Sequence, residues 1–408
     1  MASGGLSKMR LQRLSDAVKR SVETGEVVGA IALVERRGDV HIDIAGVQDR
    51  ERNIAMKRDS IFRLYSSTKP IAAAAAMILV EQGKLRLDEP VDRLLPELAN
   101  RKVLKRPDGP IDDTEPARRP ITLRDCLTFR LGHGMTGFGA PVTPFQKAMN
   151  DAGLGMGASY SMDEYVTRLG TLPLVHQPGE GLLYNTGADV TGVLVARASG
   201  KSFGAFLKEE MFEPLGMKDS GFSVPQDRIE RLTSAYAFNP QTRELTLQDD
   251  ARSSRYAKPP SFESGGGGLL STADDILAFG RMMVGGGKYR TVRILSRPSV
   301  ATMTQDYLTT EQKAKAGWFP APFELPRTPA WAPNMWAGRG WGFSMMVITE
   351  RLGPSYSIGR YGWDGAAGTM WWADPKEEMN CILMVQRMGG PGQLGNDFLT
   401  LAYQAIDD

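Results

Sequence analysis

The sequence predicts an α/β (α+β) protein in which an antiparallel sheet flanked by helices is formed from both ends of the chain, with a mainly helical domain inserted between them. Runs rich in β-forming residues lie near both termini, and helical periodicity dominates residues 122–261. A charged, proline-rich stretch at 105–120 marks a loop or a domain boundary. We therefore expect an α/β domain of residues 1–100 plus 265–408, a mainly helical domain of 101–264, and an active site between the two domains.

The N-terminal part of the chain alternates helix and strand signals. Apolar residues at three- and four-residue spacing predict an amphipathic helix over 8–24, and two β-rich runs around an Arg-Arg-Gly-Asp turn predict a hairpin. A buried segment then leads into an alanine-rich helix that ends at a glycine. The predicted ranges are 27–35 and 40–47 for the hairpin strands, 61–65 for the buried segment and 70–83 for the helix.

The later elements follow the same two periodicities. Apolar helical patterns run over 189–198 and 272–283, and a glycine run at 265–268 lies between them. Three strand patterns and a final helix close the chain. The strands are predicted at 342–348, 368–374 and 380–386, and the last helix is predicted to begin near Asn396.

Composition and charge exclude several classes of function. The chain has 408 residues, with 49 Lys and Arg against 47 Asp and Glu, a net charge of +2, and 42% hydrophobic residues. This balance is typical of a globular protein and disfavours a nucleic-acid binder that reads phosphates through bulk charge. Two cysteines, Cys126 and Cys381, and three histidines form no recognisable zinc motif. We expect no metal and no cofactor, and we expect both cysteines to be buried apolar residues.

No targeting or membrane segment is recognisable in the sequence. The first twenty residues mix apolar with charged residues and lack the apolar core of a signal peptide. The longest apolar stretch, 71–80, has ten residues, whereas about 17 to 25 are needed to span a bilayer. We expect a cytoplasmic protein that acts on a small molecule and has neither a membrane nor a nucleic acid as its partner.

Two motifs in the chain match well-known functional patterns without their structural context. The G-x-S-x-G sequence at 200–204 matches a nucleophile elbow, but a helix precedes Ser202 and every histidine lies upstream of it, so we interpret Ser202 as a helix N-cap. The Gly-His-Gly-Met-Thr-Gly sequence at 132–137 matches a dinucleotide fingerprint, but it follows a helix pattern and is expected to be a loop. The histidines expected at the surface or in loops are His41, His133 and His176.

A third motif has a more favourable context. Ser66-Ser67-Thr68-Lys69 is the only S-x-x-K sequence of the chain. An apolar segment runs into Ser66 and the alanine-rich helix follows, so Lys69 would lie one turn further on the same face. A lysine whose charged form is disfavoured by burial can take the proton of a serine hydroxyl, and a helix N-terminus helps to hold developing negative charge. The pattern alone equally allows Ser66 as an N-cap with Lys69 in solvent.

Four segments in the same order extend this observation over nearly the whole chain. The run FRLYSSTKPIAAAAAMILVEQGKLRLDEPVDRLLPEL, 62–98, resembles the serine β-lactamase and penicillin-binding-protein superfamily, most closely its class C-like branch that includes the family VIII carboxylesterases. Residues 177–203 resemble the segment with the family's catalytic tyrosine, here Tyr184. Residues 264–279 resemble its glycine-rich turn, which we interpret as tight packing, and 361–379 resemble the strand that borders the active site. The resemblance implies a β-lactamase-like fold.

Two departures from the family pattern bear on the substrate. The family's Lys-Thr-Gly is Trp363-Asp364-Gly365 here, so the cation that would pair with the carboxylate of a β-lactam or a peptidoglycan stem is missing. Its Tyr-x-Asn is Tyr184-Asn185-Thr186. Both departures favour neutral, more apolar esters, with Trp363 and Gly365 as substrate-binding residues. Further aromatic candidates for the lining of an apolar pocket are Trp318, Phe319, Trp331, Trp336 and Trp341.

The resemblance implies a serine carboxylesterase that hydrolyses small to medium, fairly apolar esters through an acyl-enzyme on Ser66. Lys69 and Tyr184 would share the proton transfers as a coupled pair, and which of the two is the base stays open. Backbone N–H groups of Ser66 and Ala366 would form the oxyanion hole. The alternatives are a β-lactamase or D-amino-acid peptidase with the same centre, an acyltransferase, and a noncatalytic binding protein on the same fold.

Overall fold

The computed structural model describes residues 4–135, 143–154, 159–316 and 335–408. Within them the strands are β1 (Gly29–Arg36), β2 (Asp39–Asp49), β3 (Ile54–Ala55), β4 (Phe62–Arg63), β5 (Lys102–Leu104), β6 (Thr114–Pro116), β7 (Ala235–Phe238), β8 (Leu245–Asp249), β9 (Leu270–Ser271), β10 (Lys288–Tyr289), β11 (Val292–Arg293), β12 (Arg339–Trp341), β13 (Met346–Ile348), β14 (Tyr361–Asp364), β15 (Met370–Asp374), β16 (Met379–Met384) and β17 (Arg387–Met388). The helices are α1 (Lys8–Glu23), α2 (Lys69–Glu81), α3 (Leu123–Leu127), α4 (Pro144–Asp151), α5 (Met162–Gly170), α6 (Thr186–Ser199), α7 (Phe203–Leu207), α8 (Glu213–Leu215), α9 (Ala273–Val284), α10 (Arg297–Met303), α11 (Thr310–Lys315) and α12 (Gly392–Tyr403).

The main sheet has its strands in the order β12-β13-β14-β15-β16-β1-β2-β3, and every neighbouring pair is antiparallel. Within this sheet the two ends of the chain are joined, because β1 pairs with β16 and Ile31 lies opposite Met384. The predicted antiparallel sheet formed from both termini is therefore confirmed. The β1–β2 hairpin turns at Arg37 and Gly38, whose φ angles of 49° and 85° suit a two-residue turn that follows the twist of the strands.

Helices cover both faces of this sheet, as strand β1 illustrates. All of its residues are buried. Ala30, Ala32 and Val34 belong to one apolar cluster with residues of α1 and α12. Ile31 and Leu33 belong to a different cluster, which contains residues of α2 and α9. Successive side chains of a strand point to opposite faces, so a strand that is buried throughout needs a helical layer on each side.

Helices α3 to α8 come between the two halves of the sheet in chain order, and α6 packs against α2 and α3. The helix predicted over 189–198 extends over Thr186–Ser199 and ends at Gly200, whose φ is 70°. The contact of α2 with α6 brings the S-x-x-K segment close to the segment that resembles the tyrosine region. The division into domains at 101 and 264 stays a prediction.

The structure corrects three local expectations. Part of the proline-rich stretch 105–120 is strand β6, which pairs with β5. The mainly helical pattern expected over 122–261 is incomplete, because β7 and β8 form a hairpin that also pairs with β17. That pairing joins segments far apart in the chain, so local periodicity does not reveal it. The C-terminal helix begins at Gly392 rather than near Asn396.

In the described part of the chain, no helix has the length and apolar character needed to cross a membrane.

Candidate active site

Ser66 lies in a short 3₁₀ turn, Tyr65–Thr68, between strand β4 and helix α2. Strand β4 is buried and pairs with β9, which fixes the path of the chain into the turn. Tyr65 has a φ of 47°, a left-handed conformation that costs a non-glycine residue about 1 kcal/mol or more. The sharp turn places Ser66 at the positive end of the α2 dipole.

Lys69 is the first residue of α2, one turn beyond Ser66. Its Nζ lies 2.9 Å from Ser66 Oγ and also donates to the carbonyl oxygen of Gly266. The residue is fully buried. Burial lowers the pKa of Lys69 to about 7, and the nearby charge of Asp189 opposes this shift. The alternative that placed Lys69 in solvent is therefore wrong.

Tyr184 lies just before α6, and its side chain is buried beside the S-x-x-K turn. Its ring centroid lies 4.5 Å from Lys69 Nζ, and its hydroxyl forms a hydrogen bond with Ser66. The indole N–H of Trp363 donates to the same hydroxyl oxygen at 2.5 Å. Burial raises the pKa of Tyr184, and the hydrogen bonds with Ser66 and Trp363 oppose that rise. Ser66, Tyr184 and Trp363, which the sequence analysis singled out in separate parts of the chain, are thus joined by hydrogen bonds to the Tyr184 hydroxyl.

Gly365 and Ala366 follow strand β14 and lie in the turn that contacts the backbone ahead of Ser66. A Cβ atom at Gly365 would lie 2.2 Å from the carbonyl oxygen of Leu64 and 2.2 Å from Thr369 Oγ1, so no larger residue fits. Thr369 Oγ1 donates to the same Leu64 oxygen at 2.8 Å, which ties the two turns together. Ala366 is exposed. The role of its N–H in an oxyanion hole stays a prediction.

An aromatic cluster surrounds Tyr184. The ring of Trp363 lies 5.7 Å from that of Tyr184 and 4.7 Å from that of Trp341. Phe129, which the sequence did not indicate, lies 5.6 Å from Tyr184 and 5.2 Å from Trp341. Trp336 contacts Trp341 at 6.4 Å. The other aromatic candidates lie outside the described residues: Trp318, Phe319 and Trp331.

Sequence reasoning missed a buried polar network beside Lys69. The carboxylate of Asp189 accepts hydrogen bonds from Ser264 Oγ at 2.6 Å, from the Gly266 N–H at 2.9 Å and from Asn185 Nδ2 at 3.1 Å. Burial raises the pKa of Asp189, and these donors oppose the rise. The available signal was an acidic residue within an otherwise apolar helix, because a buried carboxylate needs partners.

Ser202 has the structural role that its context predicted. Its Oγ accepts a hydrogen bond from the Ala205 N–H, which makes it the N-cap of α7. The glycine before it, Gly200, ends α6 in the left-handed conformation. The G-x-S-x-G match therefore reflects a helix end followed by a helix start.

The histidines and cysteines occupy different environments. His133 lies in an irregular segment as expected but is fully buried rather than exposed. His41 lies on strand β2, where its Nε2 is 2.8 Å from Asp43. His176 lies in a loop and is half-buried. The prediction for the cysteines is confirmed, because Cys126 and Cys381 are both free and buried.

Comparisons with known proteins agree with this fold. The Beta-lactamase family model matches residues 14–404. A Mycobacterium tuberculosis protein, Rv1367c, is 37% identical over 386 residues, which are 93% of this chain and 90% of that protein. Esterase EstB of Burkholderia gladioli is 28% identical over 400 residues, which are 93% of this chain and 92% of the esterase. The chain therefore belongs to the beta-lactamase family.

Solved structures share the fold over almost the entire chain. EstCE1, a hydrolase with promiscuous acyltransferase activity, has a TM-score of 0.76 at 23% identity and covers 98% of this chain and 99% of its own. Simvastatin synthase from Aspergillus terreus has a TM-score of 0.76 at 22% identity, with 97% of each chain covered. These likenesses confirm the β-lactamase-like fold. Together with the esterase relatives, the family supports a serine hydrolase or acyltransferase of the esterase type in general.

Proposed function

We propose that the protein is a serine carboxylesterase that hydrolyses small to medium, fairly apolar esters through an acyl-enzyme on Ser66. One observation carries the proposal: the buried amine of Lys69 lies 2.9 Å from Ser66 Oγ. Because burial lowers the pKa of Lys69 to about 7, a large share of the side chains carries a neutral amine at neutral pH. A neutral amine within hydrogen-bond distance of a hydroxyl can act as its general base.

In the acylation step, Lys69 accepts the proton of Ser66 while Oγ attacks the ester carbonyl carbon. Tyr184 keeps its proton at neutral pH, because burial raises its pKa, and it donates that proton to the departing alkoxide. The proton held on Lys69 then restores the phenol. The net transfer is one proton from Ser66 to the alcohol, shared by the coupled pair.

Both tetrahedral intermediates place a negative charge on the former carbonyl oxygen. We assign its stabilisation to the backbone N–H groups of Ser66 and Ala366, helped by the dipole of α2. The close packing of Gly365 on the Leu64 carbonyl supports this, because it holds the two turns together. In deacylation, water attacks the acyl carbon, Lys69 takes its proton, and Ser66 leaves with a proton restored.

Trp363 supports the proposed substrate class. It stands where the family carries the lysine of Lys-Thr-Gly, and its buried ring packs against Tyr184 and Trp341. An apolar ring at that point favours neutral acyl and alkyl groups over a carboxylate. Relatives with ester substrates in their names support the same class: lovastatin esterase of Penicillium rubens is 25% identical over 382 residues, 90% of each chain.

Initial rates on p-nitrophenyl esters from acetate to decanoate, with nitrocefin alongside, test the proposal. We expect rapid turnover of short esters and slow or absent turnover of nitrocefin. Ser66→Ala should abolish turnover, and Lys69→Ala should lower kcat by at least about 10²-fold, the usual contribution of a general base. Ser202→Ala is the matched control, because that hydroxyl caps α7 and donates to Glu263 at 3.4 Å, which are both structural roles.

Other outcomes would indicate a different nucleophile or a different function. An active Ser66→Ala together with an inactive, folded Ser202→Ala would overturn the assignment of the nucleophile. Dominant nitrocefin turnover would indicate a β-lactamase or D-amino-acid peptidase with the same centre. A Ser66 that resists acylation by a fluorophosphonate would indicate a noncatalytic binding protein.

Acyl transfer to an alcohol is the second candidate, because relatives named as acyltransferases match much of the chain. Acyltransferase calJ of Penicillium decumbens is 28% identical over 333 residues, which are 78% of this chain and 74% of that protein. The acyl-enzyme is the same, and only the acceptor differs. With p-nitrophenyl butyrate and a primary alcohol at millimolar concentration, a butyrate ester of that alcohol as main product would indicate a transferase. Butyric acid as main product would indicate a hydrolase.

A further inference from the structure

We infer that Asp189 is a positioning residue that orients the amine of Lys69 and keeps a negative charge beside it, acting through the glycine turn at 264–268. The inference rests on the proposed function of Ser66 and Lys69. It adds to that function a residue to which the sequence analysis assigned no role.

The connection between Asp189 and Lys69 runs through a single residue. The Gly266 N–H donates to Asp189 Oδ1 at 2.9 Å, and the Gly266 carbonyl oxygen accepts from Lys69 Nζ. Ser264 Oγ donates to the same Asp189 oxygen at 2.6 Å and holds the start of the turn. The carboxylate of Asp189 therefore fixes the position of the carbonyl group to which Lys69 donates.

The turn packs closely against the start of α6. A Cβ atom at Gly265 would lie 2.3 Å from the carbonyl oxygen of Ala188. A Cβ atom at Gly266 would lie 2.8 Å from Asn185 Oδ1 and 3.0 Å from Asp189 Oδ1. These approaches place the backbone of the turn directly on the first turn of α6. The tight packing expected of the glycine run is present, and it also serves to present a carbonyl oxygen to Lys69.

This arrangement has a chemical consequence for the amine. A neutral amine has two N–H bonds and one lone pair, and it can act as a base only if the lone pair faces the hydroxyl. An N–H donated to the Gly266 carbonyl oxygen restricts the rotation of Nζ and leaves the lone pair free to face Ser66 Oγ. A displaced Gly266 would release that restriction.

Asp189 also acts on Lys69 through its negative charge. Lys69 faces the Ser66 hydroxyl from its own turn, the ring of Tyr184 from the segment before α6, and the charge of Asp189 from α6 itself. Burial lowers the pKa of Lys69, and the negative charge of Asp189 raises it. The same charge adds to burial in raising the pKa of the phenols of Tyr160 and Tyr165.

The variant Asp189→Asn tests the inference, because it keeps the shape of the side chain and removes its charge. Without that charge the desolvation of Lys69 is unopposed, so Lys69 loses its proton at lower pH. We expect the acid limb of kcat/KM for p-nitrophenyl acetate to move to lower pH by about one unit or more, the usual effect of a nearby opposite charge. Asp275→Asn is the matched control: this buried carboxylate accepts from Ser220 and from the Asp219 N–H, and its variant should leave the limb in place.

A second measurement and a second variant test the role of Asp189 independently. The rate of Ser66 acylation by a fluorophosphonate, followed against pH, should show the same shift without an ester substrate. If Asp189→Asn does not fold, Ser264→Ala removes one of the donors that lower the pKa of Asp189. A smaller fraction of Asp189 is then ionised, so the limb should move in the same direction by a smaller amount.

The outcomes separate this inference from the proposed function. Wild-type turnover that does not depend on Ser66 would refute the proposed function and the inference with it. Turnover that depends on Ser66, with an acid limb that neither Asp189→Asn nor Ser264→Ala moves, would refute the inference alone. A limb that moves to higher pH in Asp189→Asn would refute it as well.

Discussion

The indole N–H of Trp363 donates a hydrogen bond to the hydroxyl oxygen of Tyr184 at 2.5 Å. Where the family carries the lysine of Lys-Thr-Gly, this chain therefore has a neutral donor that holds the phenol beside Ser66. The ring that supplies this donor also packs against Trp341 at 4.7 Å. Trp363 thus stands in place of the family's lysine without its positive charge, and it donates a hydrogen bond to Tyr184.

Replacing Trp363 with phenylalanine should lower kcat more than it changes KM for short esters. The variant keeps an aromatic ring and loses the donor to Tyr184, and a typical hydrogen bond contributes about 0.5–1.5 kcal/mol, or roughly 2- to 13-fold in rate. Trp371→Phe on the neighbouring strand is the control, because that ring packs against Phe279 in the core. Steady-state kinetics on p-nitrophenyl acetate would contradict the assignment if both variants kept the wild-type kcat.

The pH dependence of kcat/KM for the wild-type enzyme should reflect the pKa of Lys69. The base form is the neutral amine, and burial lowers the pKa of Lys69 to about 7. The value of kcat/KM should therefore rise as pH increases through about 7 and level off above it. A fluorophosphonate should acylate Ser66 with the same dependence. A rate that falls as pH rises through 7 would contradict Lys69 as the base.

Gly365→Ala should destabilise the protein and lower its activity. The added Cβ would lie 2.2 Å from the Leu64 carbonyl oxygen, so the turn after β14 must move away from the segment that holds Ser66. Overpacking of this kind costs about 1–3 kcal/mol in the free energy of unfolding. Gly221→Ala is the control, because the nearest atom to its Cβ lies 3.8 Å away. Urea unfolding and ester kinetics on both variants give the comparison, and equal losses would argue against the close packing.

Arg63→Met should be among the more costly changes for stability. Arg63 lies two residues before Tyr65, is fully buried and forms an ion pair with Asp249 at 2.7 Å. Removing one partner of a fully buried pair costs about 3–5 kcal/mol. Because Asp249 is partly exposed and also accepts from Ser254, the cost here should lie at or below the lower end of that range. Arg58→Met removes an exposed pair with Asp274 and should cost less than about 1 kcal/mol. Similar unfolding midpoints for the two variants would contradict the prediction.

His133 should make the protein less stable in acid. Burial holds the pKa of His133 well below 6.5, and neither ring nitrogen has a hydrogen-bond partner among the described residues. The unfolded chain binds a proton below about pH 6.5 that the folded state does not bind, so stability falls as pH falls through that range.

His133→Phe tests this effect, because a phenylalanine ring can pack against Phe145 as the imidazole does, 5.4 Å away. Its free energy of unfolding minus that of the wild type should increase from pH 8 to pH 5, because only the wild type loses the stability linked to His133. A difference that is the same at both pH values would show that His133 does not contribute to the acid sensitivity.

Local signals predicted the elements that carry the site. Helix α2 followed from its apolar run and its terminal glycine, and the strands at both ends of the chain followed from their β-rich composition. Spacing alone put Lys69 one turn from Ser66. Tyr184 entered only through the resemblance to a family, since no periodicity distinguishes a tyrosine before a helix from any other.

The tertiary structure decided which of these side chains meet. The sequence analysis missed the hairpin of β7 and β8, and the pairing of β7 with β17 joins segments that lie far apart in the chain. The link from Asp189 through Gly266 to Lys69 joins three segments that are distant in sequence. A sequence window records the periodicity of one element, whereas the burial that lowers the pKa of Lys69 depends on the packing of α2 against α6 and on the glycine turn that lies between them. Local pattern therefore determined the candidate nucleophile and its lysine, and long-range packing determined the environment in which that lysine can act as a base.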